Sequence, residues 1–298
     1  MSSETMTARR ADREAPSRHR RRKRMGVGGV LGRIAVWALV AFNLFAITWV
    51  ILTAFKPHRE IFEAPFGLPK APTFDNFATA WFQGDFGAAF LNTLVLTVVC
   101  GVVVLVLACP AAYMIARRTG FASSTLYMTF VAGIGVPLQV IIIPLYLIMQ
   151  NMGLLNNRFG LGLAMVVVAL PFSILLLTGF FSSLPNELRE AAAIDGIGPV
   201  KTFVLIMLPL AKGGIITLAT LNLISMWNET FLALVLIASR DKQVLSVALL
   251  NFINSQQYSG ADYGAIFAGV VILIVPMILI YSWLGRRIVE GMTMGAGK

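Results

Sequence analysis

The chain has 298 residues, of which 57% are hydrophobic and only 13% charged, with a mean hydropathy of +0.79. Soluble proteins carry about 25% charged residues, so this composition excludes a soluble enzyme and points to the membrane. The formal charge of +10, from 24 Lys and Arg against 14 Asp and Glu, is ambiguous until it is sorted by position: nucleic acid, anionic lipid and membrane topology all remain open. Cys100 and Cys109 fall in one apolar run, without a CxxC or a Cys/His cluster, and read as small core residues.

Residues 1–33 are rich in Arg, Ser and Glu, with almost no apolar content before Met25, which predicts a disordered basic tail. Arg20–Arg24 forms a basic cluster beside the first apolar run, read as a retention signal with an RNA- or lipid-binding role as the alternative. A bilayer core of about 30 Å takes about 20 apolar residues as a helix. Six stretches qualify: Ile34–Ala54, Ala88–Ala108, Leu126–Met149, Leu161–Phe181, Ile215–Ala238 and Tyr263–Leu284. Their internal prolines (Pro137, Pro144, Pro171, Pro276) are of the kind that bundled membrane helices tolerate. The first stretch reads as an uncleaved anchor, being too long for a signal-peptide core. The expected fold is therefore all-α and polytopic, with six transmembrane helices spread over residues 34–298 and a core at about 88–285.

Assigned to alternate sides of these spans, 18 of the 24 basic residues fall with the two ends and 6 on the other side. Basic loops stay cytoplasmic, so both termini are expected inside. The tail alone carries a net +7 and the remaining 265 residues only +3. The charge thus reports topology, and nucleic acid is not expected as a partner.

The loop at 182–213 stands out. Pro185 to Ile194 has strong helix formers behind a proline, with acids in the first turns where they suit the helix dipole. Asp195-Gly196 breaks that helix, and an amphipathic run from Val200 to Leu208 ends at Pro209. Glu190-Ala191-Ala192, then Gly196, then Ile206, Leu208 and Pro209 match the pattern EAA-x3-G-x9-I-x-L-P at all seven fixed positions. Asp195 fits as well. This loop resembles the EAA loop of binding-protein-dependent ABC importer permeases.

The resemblance extends along the chain to the carbohydrate, MalG-like, type of that family. It is carried by Phe55-Lys56-Pro57, Phe90-Leu91-Asn92-Thr93, Pro137-Leu138-Gln139, Gly153-Leu154-Leu155-Asn156, Trp227-Asn228-Glu229-Thr230-Phe231 and the ending Glu290-Gly291-Met292-Thr293. The chain departs from the family in having Gly213 where many relatives have a second proline, and Met292 for leucine. The resemblance implies a type I ABC importer permease fold in a prokaryotic plasma membrane. It implies, as partners, a second non-identical permease, two copies of a cytoplasmic ATP-binding subunit and an extracytoplasmic solute-binding protein. Within it, Glu190, Ala191, Ala192, Asp195, Gly196, Ile206, Leu208 and Pro209 would couple to the ATPase.

Glu229 is the one acid expected deep inside a span, where a charge is costly and faces a cavity or a partner. Asn222, Ser225 and Glu229 share one helical face, with Asn228 on the adjoining face and Trp227 offering a flat surface of the kind sugars stack on. These five residues line the translocation path or bond the partner subunit across it; both readings stand. No nucleotide-binding motif is present, so the ATPase is expected on a separate chain. No catalytic residue, cofactor or metal is expected. The expected function is an ATP-driven importer of a sugar, oligosaccharide or polyol. A non-sugar solute remains the alternative, and a secondary carrier would need repeated helix breaks that the sequence does not show.

Overall fold

The structure, a computed structural model, describes residues 27–295, with side chains at 31–256 and 260–282. Residues 1–26, and with them most of the expected basic tail, lie outside the described residues. Residues 1–47 and 48–298 form two compact units. The described part of the first is helical, because α1 (Val27–Ala54) starts at Val27, ahead of the expected Ile34.

The second unit is helical throughout its described elements. After α1 come two short helices, α2 (His58–Glu63) and α3 (Asp75–Gln83), then the long α4 (Phe86–Arg117). Next are α5 (Phe121–Gly135), α6 (Leu138–Asn151) and α7 (Arg158–Ser183). The loop region holds α8 (Glu187–Ile194), α9 (Pro199–Thr202), a π-turn at Phe203–Met207 and α10 (Leu208–Leu210). The chain ends with α11 (Lys212–Trp227), α12 (Phe231–Leu236), α13 (Leu245–Ser259) and α14 (Tyr263–Gly295).

Among the described residues four helices are long and apolar enough to cross a bilayer, or six spans if each of two bent pairs counts as one. The expected third span, Leu126–Met149, is not one helix: α5 and α6 meet at 102°. Pro137 offers no N–H to continue α5 and pushes Val136 into extended backbone (φ −92°, ψ 113°). The expected fifth span, Ile215–Ala238, also fails as a single helix. α11 stops at Trp227, residues 228–230 break the ladder and α12 restarts it for six residues. The connection to the sixth span, expected as loop, contains the 15-residue α13, whose residues Leu245–Leu249 are all buried.

Two cores hold this together. One joins α4, α7 and α11 around Leu161, Leu177, Phe181, Met207 and Leu218; the other joins α13 and α14 to the start of α4 around Phe86, Trp227, Leu245 and Phe252. α4 packs along α7, where a Cβ on Gly162 would stand 3.1 Å from Cys100 Sγ. Such close small-residue contact suits helices that gain no hydrophobic drive from lipid.

The breaks leave backbone groups without helical partners, and polar side chains satisfy them. Asn92 Nδ2 donates to the carbonyls of Asp241 (2.9 Å) and Gln243 (3.0 Å), while its Oδ1 accepts from Arg158 (2.7 Å). Thr93 Oγ1 accepts the N–H of Leu245 at 2.7 Å, at the start of α13. Asn76 Nδ2 bonds the carbonyls of Ala54 and Lys56, both at 2.8 Å. Lys56, though in a connecting segment, is fully buried and donates to the carbonyls of Ala64 (2.8 Å) and Pro65 (3.1 Å).

Candidate functional site: the exposed loop and the membrane cleft

The loop is built by short-range rules. α7 ends at Ser183, and Leu184 is extended ahead of Pro185 (φ −75°, ψ 140°). Asn186 O then accepts the N–H groups of Arg189 (2.9 Å) and Glu190 (3.1 Å), which starts α8 with Glu187 and Glu190 in its first turn. At the other end Gly196 takes φ +72°. Its N–H bonds Ala193 O at 3.1 Å, and Ile197 N–H bonds Ala192 O at 2.9 Å. This pair of bonds is a Schellman motif, and it explains why a glycine follows Glu-Ala-Ala at fixed spacing.

Of α8 only Ala192 is buried. Glu190, Ala191, Ala193, Asp195 and Gly196 are exposed, and Ile194 is 87% exposed. The helix therefore presents an acid, small residues and a bare isoleucine outward, held by one alanine. The second limb carries Ile206 and Leu208 half-buried and Pro209 exposed. The π-turn before Pro209 is wider than an α turn, with Leu208 N–H bonding Phe203 O. Between the motif positions, Met207 is fully buried and fastens the limb to the core. The motif pattern gave no sign of Met207, because it falls on an unspecified position.

The second site lies on α11. Asn222, Ser225 and Glu229 line one cleft of about 360 Å³ with Met165, Val168 and Phe172 of α7 and with Leu232. That volume is of small-ligand size, and the lining is apolar with a few polar groups. Asn222 Nδ2 donates to Ser173 Oγ at 3.2 Å. Glu229 Oε1 accepts the N–H of Leu232 at 2.7 Å, satisfying the first turn of α12, and its main-chain oxygen accepts from Ser246 at 2.8 Å.

Trp227 and Asn228 are placed elsewhere. Trp227 is 2% exposed, its Nε1 donates to Leu273 O at 3.0 Å, and its ring meets Phe90 edge-on at 5.5 Å. It offers the cleft no face. Asn228 is exposed and donates to Ile224 O at 2.8 Å, off the cleft.

Residues 105–294 match the family model described as the binding-protein-dependent transport system inner membrane component. The chain belongs to this family. It is thus a permease subunit rather than an enzyme, a multi-pass protein of the plasma membrane that works with an ATPase, a solute-binding protein and a second permease. The permease is 37% identical to the diacetylchitobiose uptake system permease protein NgcG of Streptomyces coelicolor over 88% of this chain and 86% of that protein. It is 32% identical to the trehalose transport system permease protein SugB of Mycobacterium tuberculosis, over 89% and 98%. Among solved structures it is similar to a bacterial ABC transporter involved in import of the acidic polysaccharide alginate. That match has a TM-score of 0.78 at 24% identity, covering 87% of this chain and 96% of the other, and it shows the fold.

Proposed function

We propose that this permease forms half of the path of an ATP-driven sugar importer and is moved by an ATPase seated on α8. The observation that carries the coupling role is the outward face of α8, exposed at every position but Ala192 and closed by the Gly196 motif. An uncovered helix ending in bare Ile194 is a surface made for a protein partner. Glu190 pairs with a basic group of the ATPase, Ala191 lets its backbone approach, and Asp195 and Gly196 fix where the helix ends. Ile206, Leu208 and Pro209 carry the motion into α11. The charge distribution supports a cytoplasmic side for this loop and both termini. The complete transporter has one copy each of this chain and a non-identical permease, two ATPase subunits below and a solute-binding protein outside.

Glu190→Arg reverses the charge of the exposed face, and Gly196→Val forces a β-branched residue to φ +72°, at a cost of about 1–2 kcal/mol or more. Both variants are expected to insert normally and to lose ATPase subunits on co-purification. Retention of the ATPase together with normal transport-coupled hydrolysis would end the docking reading.

For the path, Asn222, Ser225 and Glu229 supply an amide, a hydroxyl and a carboxylate in an apolar cleft, the pairing set for a hydroxyl-rich solute. The roles of the relatives, in diacetylchitobiose uptake and trehalose transport, support a sugar. Glu229→Gln keeps an acceptor for the Leu232 N–H but removes the charge-assisted bond. Uptake KM is expected to rise roughly fivefold with the fold intact. Unchanged uptake kinetics would count against Glu229 in the path.

A further inference from the structure

One polar and one aromatic junction tie both limbs of the loop to the same short stretch of α4. Arg117, the last residue of α4, donates through Nη1 to Asn186 Oδ1 and through Nη2 to Leu184 O at 3.0 Å. These are the two residues flanking Pro185, at the start of α8. One turn back, Tyr113 meets Phe203 of the returning limb at 4.9 Å and Phe181 of α7 at 5.6 Å, with Phe181 and Phe203 6.2 Å apart. Tyr113 and Phe181 are buried. Residues 113 and 117 are four apart and share a helix face.

We propose that Arg117 is a positioning residue: with Tyr113 it clamps the outgoing and returning limbs of the loop to α4, so that α8 and the end of α4 move as one body. Resting on the reading of α8 as the ATPase seat, the clamp supplies the route by which a push on α8 reaches the cleft. α4 packs along α7 and α11, which supply most of the cleft's lining. The guanidinium suits the task, since its fork reaches two acceptors at once where an ammonium is a single point charge. Arg117 Nε is buried and has no hydrogen-bond partner. The site therefore tolerates a desolvated donor to keep the other two bonds.

The test uses the complete transporter, both permeases, ATPase and binding protein, in proteoliposomes, with ATP hydrolysis and solute uptake measured on one preparation. Arg117→Gln is expected to keep the ATPase bound and hydrolysing while solute moved per ATP falls about tenfold. Arg117→Lys should recover part of that ratio. Asn186→Asp beside native Arg117, which keeps the acceptor, should retain nearly the wild-type ratio, a pattern that mere loss of packing does not produce. Arg117→Gln with the wild-type ratio overturns the clamp. Should Arg117→Gln fail to assemble, spin labels on Arg118→Cys and Glu187→Cys in an otherwise native chain, whose Cys100 and Cys109 are buried, decide the matter. A label distance that stays the same with and without ATP supports one rigid body, and a distance that changes overturns it. The two readings fail separately: ATPase retained with normal transport-coupled hydrolysis on Glu190→Arg removes the seat, and normal coupling in Arg117→Gln removes the clamp.

Discussion

Gly160→Ala is expected to destabilise the permease strongly. A Cβ at residue 160 would overlap the carbonyl oxygen of Leu154 and stand 2.9 Å from its Cβ. The obstacle is backbone, so no rotamer change relieves it. Gly160 lies in the first turn of α7, and Leu154 lies in the turn that leaves α6, pinned by a 2.8 Å bond from its N–H to Met149 O. Either α7 shifts along α4 or that turn opens. Overpacking alone costs about 1–3 kcal/mol, and a displaced backbone segment adds to it, so a loss above about 3 kcal/mol is expected. Size-exclusion yield and thermal unfolding in detergent measure it. Gly179→Ala in the same helix, with nothing within 4 Å of its Cβ, is the control and should unfold no earlier than wild type. Equal behaviour of the two variants would show that the α6–α7 turn gives way easily.

The second large effect is expected at Asn156. Its Oδ1 accepts the N–H groups of Ala238 (3.2 Å) and Ser239 (2.9 Å), and its Nδ2 donates to Ser239 Oγ at 2.6 Å. Its own N–H bonds Leu236 O at 2.7 Å, its carbonyl accepts Lys242 Nζ at 3.0 Å, and it sits at φ +50°. Asn156→Ala removes the three side-chain bonds and leaves a left-handed alanine, for a loss of about 3 kcal/mol. Asn156→Gly loses the same bonds without the backbone strain and should be about 1 kcal/mol less damaging. Hydrogen exchange at the Ala238 and Ser239 amides should accelerate in both variants. If glycine and alanine are equally harmful, the strain is absent; if neither speeds exchange, the turn is held by other groups.

How much of this was legible in the sequence depends on the reach of the interactions involved. The six apolar runs are composition, and composition showed where the membrane is. It did not show that two runs are bent or interrupted. A hydropathy window passes smoothly over Val136-Pro137, and over 228–230, where three residues between apolar neighbours end α11. The Gly196 motif could be read because its cause is local: a helix of fixed length needs a left-handed residue to stop. Arg117 could not, since its partners lie 67 and 69 residues away and an arginine at a span end looks like any topology marker. Trp227 misled for a related reason. An aromatic beside Asn and Glu suggests a ligand platform, but its indole N–H is spent on Leu273 O, 46 residues on. The face shared by Asn222, Ser225 and Glu229 was legible from helical periodicity alone, and the three do line one cleft.

The bonds of Asn92 bear on the order in which the protein can be made. Its acceptors, the carbonyls of Asp241 and Gln243, come 149 and 151 residues later in the chain. Until those residues are made, the Asn92 side-chain amide lacks both of its final acceptors. Thr93, whose hydroxyl already donates to Ala89 O at 2.9 Å within its own helix, receives the N–H of Leu245 only 152 residues later. Insertion of the early spans is therefore not their completion. A chain stopped short of residue 240 lacks both carbonyls to which Asn92 Nδ2 donates.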